Sequence, residues 1–275
     1  MSEPRWAVIL GASCGTGAAI AREVSREPGF HVFGAHRGNH PDDAAAVGRD
    51  VALAGRSAHL RRGEAGTAEG ARTGADDLLR VAGPRSVKLL VHSLANASVG
   101  RLVSGGHDQL VPRQFEKTFD SMAHSFVYWI QELLARDLLA EGAQLLALSN
   151  PMVDSVVRDT ALIAATKAAL EMYVRHLARE LGPRGHRVNL LKFGAVITTA
   201  VERTFDGGAL DRLRAVLPRA IPAGRLSTAE EVARFVAVLA GDRGAWFNGA
   251  TIDFTGAESQ GLFDALLHPT PEDPR

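Results

Sequence analysis

Two short stretches of this 275-residue chain carry residue types at spacings that can do chemistry. In "ILGASCGTGAAIARE", Gly11, Gly15 and Gly17 follow an apolar run and open a helical pattern, with Ser13 and Thr16 between them. Glycines so placed allow a tight turn and bring backbone N–H groups, with the positive end of a helix dipole, up to a diphosphate. In "RDTALIAATKAALEMY", Lys167 sits on an amphipathic helix; only four of the 31 basic residues are lysines (Lys88, Lys117, Lys167, Lys192), so composition alone does not account for it. No tyrosine stands close upstream of it. The chain's two tyrosines are Tyr128, in an earlier helix, and Tyr173, six residues after the lysine on another helix face.

The elements that must hold these residues follow from the hydrophobic pattern. Short β-rich runs at 6–12, 30–35, 57–60, 86–94, 143–149, 186–193 and 250–254 predict strands. Helices are predicted at 15–27, 67–82, 108–140, 156–182 and 228–240, the last opened by the cap "STAEE". Apolar strands separated by helices imply a parallel sheet covered on both faces, a doubly wound α/β domain. Residues 39–56 give no clear element, and the Pro-rich end at 268–275 predicts a flexible tail.

Composition sets the outer bounds. With 46% apolar and 23% charged residues the chain can bury one large core, and a single domain over 1–275 is expected. Lys+Arg 31 against Asp+Glu 31 leaves no net charge, which argues against nucleic acid and an anionic membrane as partners. One cysteine, Cys14, excludes an internal disulfide framework and a Cys-based zinc site and fits a reducing compartment. No metal site is expected. Because "MSEPRWAVILGAS" lacks a basic start before an apolar stretch, and no run approaches a membrane span, a cytoplasmic location is expected.

The Gly-x-x-x-Gly-x-Gly spacing resembles the cofactor loop of the short-chain dehydrogenase/reductase family, and the likeness runs from residue 6 to about 262. "LLVHSLANAS", "MAHSFVYWIQEL" and "ATKAALEMYVRHLARELGPRGHRVNLLKFGAVITTA" look most like its enoyl-acyl-carrier-protein reductase branch. The resemblance implies a Rossmann fold and a nicotinamide cofactor. It places Glu64 beside the adenine, and Ser93 and Ala95 along the adenosine ribose and nicotinamide side. It sets Lys167 on the ribose hydroxyls of the nicotinamide half, and Val196 and Thr198 at the carboxamide. Ala195 stands where that branch has proline. At the end of the second strand, "VFGAHRGN" lacks the acid that holds a ribose 2′-hydroxyl; Arg37, with His36 beside it, can instead pair with a 2′-phosphate. NADP(H) is therefore preferred to NAD(H).

The tyrosine positions that the resemblance implies hold other residues: Ile163 at the standard family's place four before the lysine, and Thr160 and Asn150 at the branch's places seven and seventeen before. Hydride transfer to a carbonyl or conjugated enone creates an oxyanion that needs a donor there. A threonine hydroxyl can polarise an oxygen, yet it is a poor proton reservoir. Ser149, at the end of the fifth strand, and Asn150 are the candidates for bonding a substrate oxygen, with His124 and Asp154 expected near the pocket; Cys14 is not proposed as a nucleophile.

The expected function is an atypical NADPH-dependent reductase of an activated C=C or C=O in a small molecule. The alternatives are a non-redox lyase, isomerase or cyclase on the same fold, and an inactive partner subunit. Residues 199–225 fall where the family carries its substrate cover, with Gly207-Gly208 as a hinge; Phe205, Leu210, Leu213 and Leu217 make that cover apolar and hint at an acyl or polyketide-like substrate. The resemblance also implies a homo-oligomer, a tetramer or dimer built on the helices at 108–140 and 156–182.

Overall fold

The computed structural model describes residues 5–106, 108–205 and 207–267, so the tail expected at 268–275 lies outside the described residues. Seven parallel strands form one sheet in the order β3-β2-β1-β4-β5-β6-β7. They are β1 (Arg5–Leu10), β2 (Phe30–His36), β3 (Ala58–Arg62), β4 (Val87–His92), β5 (Leu139–Ser149), β6 (Arg187–Phe193) and β7 (Thr251–Phe254). β1 is buried from Trp6 to Leu10, so its apolar run without alternation marks a strand covered on both faces.

Side chains alternate across the sheet and sort into two cores. Val8 and Leu10 join Phe126 and Trp129 of α5 (Ser125–Ala135), Leu78 of α3 (Ala68–Ala82) and Leu170 of α6 (Ala161–Leu181). Ala7 and Ile9 point the other way, against Ile20 of α1 (Gly15–Val24), Val47 of α2 (Pro41–Leu53) and Val236 of α9 (Ala229–Ala240). The chain runs outward from β1 to β2 and β3, then crosses back to β4. That reversal opens a crevice at the carboxyl ends of β1 and β4, where doubly wound sheets bind ligands.

The structure departs from the expected elements in three places. Residues 39–56 contain α2, whose Pro41 at the first helical turn and Asp42 and Asp43 behind it are start signals, and which buries Ala44, Val47 and Val51. The helix expected at 108–140 is α4 (Pro112–Phe119), a π turn (Asp120–His124) and α5; β5 begins at Leu139, inside the predicted helix. The helix expected from 156 starts at Ala161, after a 3₁₀ turn and loop that leave Asn150 to Thr160 outside it. Beyond these, residues 199–225 form α7 (Thr199–Thr204) and α8 (Gly207–Ala220), and the chain closes with α10 (Glu258–Leu267). Among the described residues no helix is long and apolar enough to cross a membrane.

Candidate active site

A cavity of about 390 Å³ lies over the carboxyl ends of the strands, walled by the loops after β1, β2, β3, β4, β5 and β6 and by α7. Its floor is the glycine turn. Gly11 (φ 94°) leaves β1 so close to β4 that a Cβ there would stand 2.6 Å from Ser93 O. At Gly17 a Cβ would collide with the Gly11 carbonyl, and Gly15 has φ 57°, the left-handed region that glycine accepts without strain. Hydrogen bonds from Gly11 N to Ala35 O (2.9 Å) and from Ser93 N to Leu10 O (3.0 Å) tie the three strand ends together. Ser13 and Thr16 line the same turn, and Gly15 to Gly17, the first residues of α1, line the cavity with no acid among the residues of that turn.

At one end lie His36, exposed Arg37 and Glu64, with the Glu64 carboxylate accepting Gly66 N–H at 3.3 Å. Burial first, and then the charge of Arg62, hold the His36 imidazole below its usual pKa. Ser93 and Ala95 line the middle. At the other end Val196 is buried and Thr198 caps α7, its hydroxyl accepting Val201 N–H at 3.5 Å.

Lys167 reaches this cavity from α6 while only 5% exposed, and its Nζ donates to Leu148 O at 2.7 Å. Burial lowers its pKa to about 8. Behind it His92 is fully buried and bonded to Ser125 Oγ at 2.8 Å; burial and the Lys167 charge push its pKa down to about 3, so it stays neutral. Ser149, at the tip of β5, and Asn150 line the cavity together with Ile163, whose apolar side chain occupies the wall four residues before the lysine. Asn150 Oδ1 accepts Met152 N–H at 3.1 Å, which leaves its amide N–H₂ to donate.

Three expected participants stand elsewhere. Thr160 is not part of the cavity wall; it precedes α6, and its hydroxyl donates to Val157 O at 3.0 Å. His124 lies at the end of the π turn and bonds Tyr173 OH at 3.0 Å in a separate hollow between α5 and α6. Asp154 is paired with Lys192 Nζ at 2.6 Å and does not line the cavity either. Conversely, Ser121 and Met122 line it unanticipated. The π turn adds a residue to the helix and rotates the turns after it, so a 3.6-residue pattern carried through 108–140 could not place them.

Sheet order, reversal point and glycine turn together define a doubly wound α/β protein with a cleft of the nucleotide-binding kind. Residues 11–256 match the family described as Enoyl-(Acyl carrier protein) reductase, and the chain belongs to this group of the short-chain dehydrogenase/reductases, a family of oxidoreductases. It is 27% identical to the 1-cyclohexenylcarbonyl-CoA reductase of Streptomyces collinus, over 92% of this chain and 86% of that one. It is 29% identical to the enoyl-[acyl-carrier-protein] reductase [NADH] FabI of Escherichia coli, over 64% of this chain and 65% of the relative. Among solved structures, a short-chain dehydrogenase from Burkholderia cenocepacia in complex with NADP superposes with a TM-score of 0.77 at 25% identity, covering 94% of this chain and 98% of that one.

Proposed function

We propose that this chain is an NADP(H)-dependent reductase of an activated C=C or C=O in a small molecule, working without the family's tyrosine. The observation that carries the reading is Lys167, an ammonium kept buried in a cavity whose floor is the glycine turn. The residues fit the cofactor: the turn leaves no room for a Cβ at Gly11 or Gly17, and it sets the N-terminus of α1 on the cavity, where a diphosphate is favoured. Bound there, the dinucleotide would supply the hydride.

The chain's own groups would do the rest. Arg37 at the tip of β2, with His36 beside it, favours a 2′-phosphate, although a relative named for NADH keeps NAD(H) as the second choice. Glu64 would sit at the adenine, Ser93 and Ala95 along the ribose side, and Val196 and Thr198 at the carboxamide. Lys167 would hold the ribose hydroxyls. With Ile163 in the wall and the Thr160 hydroxyl turned to Val157, the oxygen of the substrate is left to Ser149 Oγ and the Asn150 amide. The proton then comes from water or from Lys167 Nζ, whose pKa of about 8 keeps it exchangeable near neutrality.

Helices α7 and α8 would cover the substrate; Phe205 lines the cavity and Leu210 is buried in α8 outside its wall, an apolar cover that fits an acyl or polyketide-like chain. The protein would work in the cytoplasm as a homo-oligomer, its subunits meeting along α5 and α6.

Purified protein mixed with NADPH and a panel of enoyl thioesters, enones and ketones should show substrate-dependent loss of the reduced cofactor's near-ultraviolet absorbance. Cofactor that binds but is never consumed across the panel would end this reading. The apolar Ile163 in the tyrosine's place favours one alternative, a non-redox lyase, isomerase or cyclase, which predicts turnover undiminished after the nucleotide is stripped.

A further inference from the structure

The loop after β6 is held by a contact that comes from outside the cavity wall. Glu258, first residue of α10, is only 7% exposed, and its Oε2 accepts the backbone N–H of Ala195 at 2.7 Å. Gly194 makes the approach possible, since a Cβ there would stand 2.7 Å from that same oxygen and 2.9 Å from Thr255 O. Lys192 Nζ is paired with Asp154 (2.6 Å) and Asp253 (3.5 Å). Burial raises the Glu258 pKa, the Ala195 amide opposes the rise, and the charge of Asp253 adds to it. A carboxylate is seldom buried without an equally specific reason.

The contact joins the cavity wall to a helix outside it. Ala195 and Val196 line the cavity, and two residues further on Thr198 caps α7. At the other end, α10 is locked onto α8: a Cβ at Gly261 would collide with Ala220 O, and Arg219 Nη2 donates to Ala265 O at 2.8 Å. A proline at 195 would fix the backbone but offer no N–H. The alanine here needs an acceptor, and the buried acid is that acceptor.

We propose that Glu258 is a positioning residue, whose carboxylate fixes residues 194–198 through the Ala195 amide and sets the cofactor wall in register with the covering helices. The role rests on the proposed reading of the cavity as an NADP(H) site. It predicts that the Ala195 amide is protected in the nucleotide-free protein and that Glu258→Ala exposes it.

The test pairs amide hydrogen exchange over 194–198, without nucleotide, with NADPH binding by fluorescence titration. Glu258→Ala should speed exchange and weaken NADPH binding by about tenfold or more, the scale of one hydrogen bond to a charged group, while kcat at saturating cofactor moves less. Glu258→Gln, which keeps an acceptor oxygen, should recover most of both. In an Ala195→Pro background, where no N–H remains, Glu258→Ala should cost nothing more. Penalties that multiply in the double variant, a Gln variant as poor as Ala, or an Ala195 amide that exchanges equally in wild type, Glu258→Ala and Glu258→Gln would each overturn the role. A wild-type protein that binds no NADPH would instead overturn the functional reading, and the exchange measurements would still decide the contact.

Discussion

Lys167 is an ammonium whose hydrogen-bond partner is a carbonyl, Leu148 O, rather than a carboxylate, and burial alone accounts for its lowered pKa. Carrying the charge there costs the fold about 3 kcal/mol, from a pKa of about 8 against 10.5. The sign is definite: with the folded-state pKa depressed, the unfolded chain binds more protons between pH 8 and 10.5, so the cost is full below that window and disappears as pH rises through it. Lys167→Met removes the titration but also leaves Leu148 O unpaired, so the two effects partly cancel at neutral pH. The pH dependence does not cancel. Wild type should gain on the variant by up to about 1.4 kcal/mol per pH unit across the window, read as the difference in urea-unfolding free energy. A difference independent of pH would mean that the ammonium is solvated. Activity in the variant should fall by about a hundredfold or more. The lysine was legible in the sequence because lysine is scarce in this chain and the segment around it resembles the enoyl-reductase branch. That Thr160 stands outside the cavity wall was not legible, because its hydroxyl direction is set by the turn from Val157 into α6.

At the scale of elements, the glycine turn is where local sequence and long-range packing agree. Gly17 lies inside α1, where an alanine would ordinarily stabilise the helix by about 1 kcal/mol. Here its Cβ would meet the Gly11 carbonyl and come within 3.3 Å of Ser93 Oγ, so β1, α1 and β4 would have to separate. Gly17→Ala should therefore reverse the propensity rule, lowering stability by about 1–3 kcal/mol, as overpacking does, and weakening NADPH binding along with it. A variant at least as stable as wild type, with NADPH binding unchanged, would show that the turn has slack. Such a turn is readable because its glycines sit between an apolar strand and a helix start. The π turn at Asp120–His124 is not, since the extra residue breaks the period on which helix reading depends, and this hid Ser121 and Met122 and sent His124 to the far side. The helix α2 was missed for a different reason: its three buried side chains are Ala44, Val47 and Val51, a weak stripe in a run rich in alanine and charge.

Over the whole molecule, six strand-end loops converge on one cavity, and the helices packed on both faces of the sheet bring Lys167 and the glycine turn to it from opposite sides. A ligand that spans it should stabilise every layer at once. At a hundredfold excess over its dissociation constant, NADPH should add about 2.7 kcal/mol, a rise of roughly 5 °C in melting temperature for a chain of this size. Comparing nucleotides then separates the two cofactor readings. If Arg37 receives a 2′-phosphate, NADPH should outperform NADH at equal concentration, and added salt should narrow the gap because Arg37 is exposed. Arg37→Ala should bring NADPH down to the NADH shift while leaving NADH itself unchanged, since the missing acid at the end of β2 gives NADH no ribose contact to lose there. Equal shifts from both nucleotides in the wild type, insensitive to Arg37, would assign this chain to the NAD(H) side of its family and leave Arg37 as a surface charge.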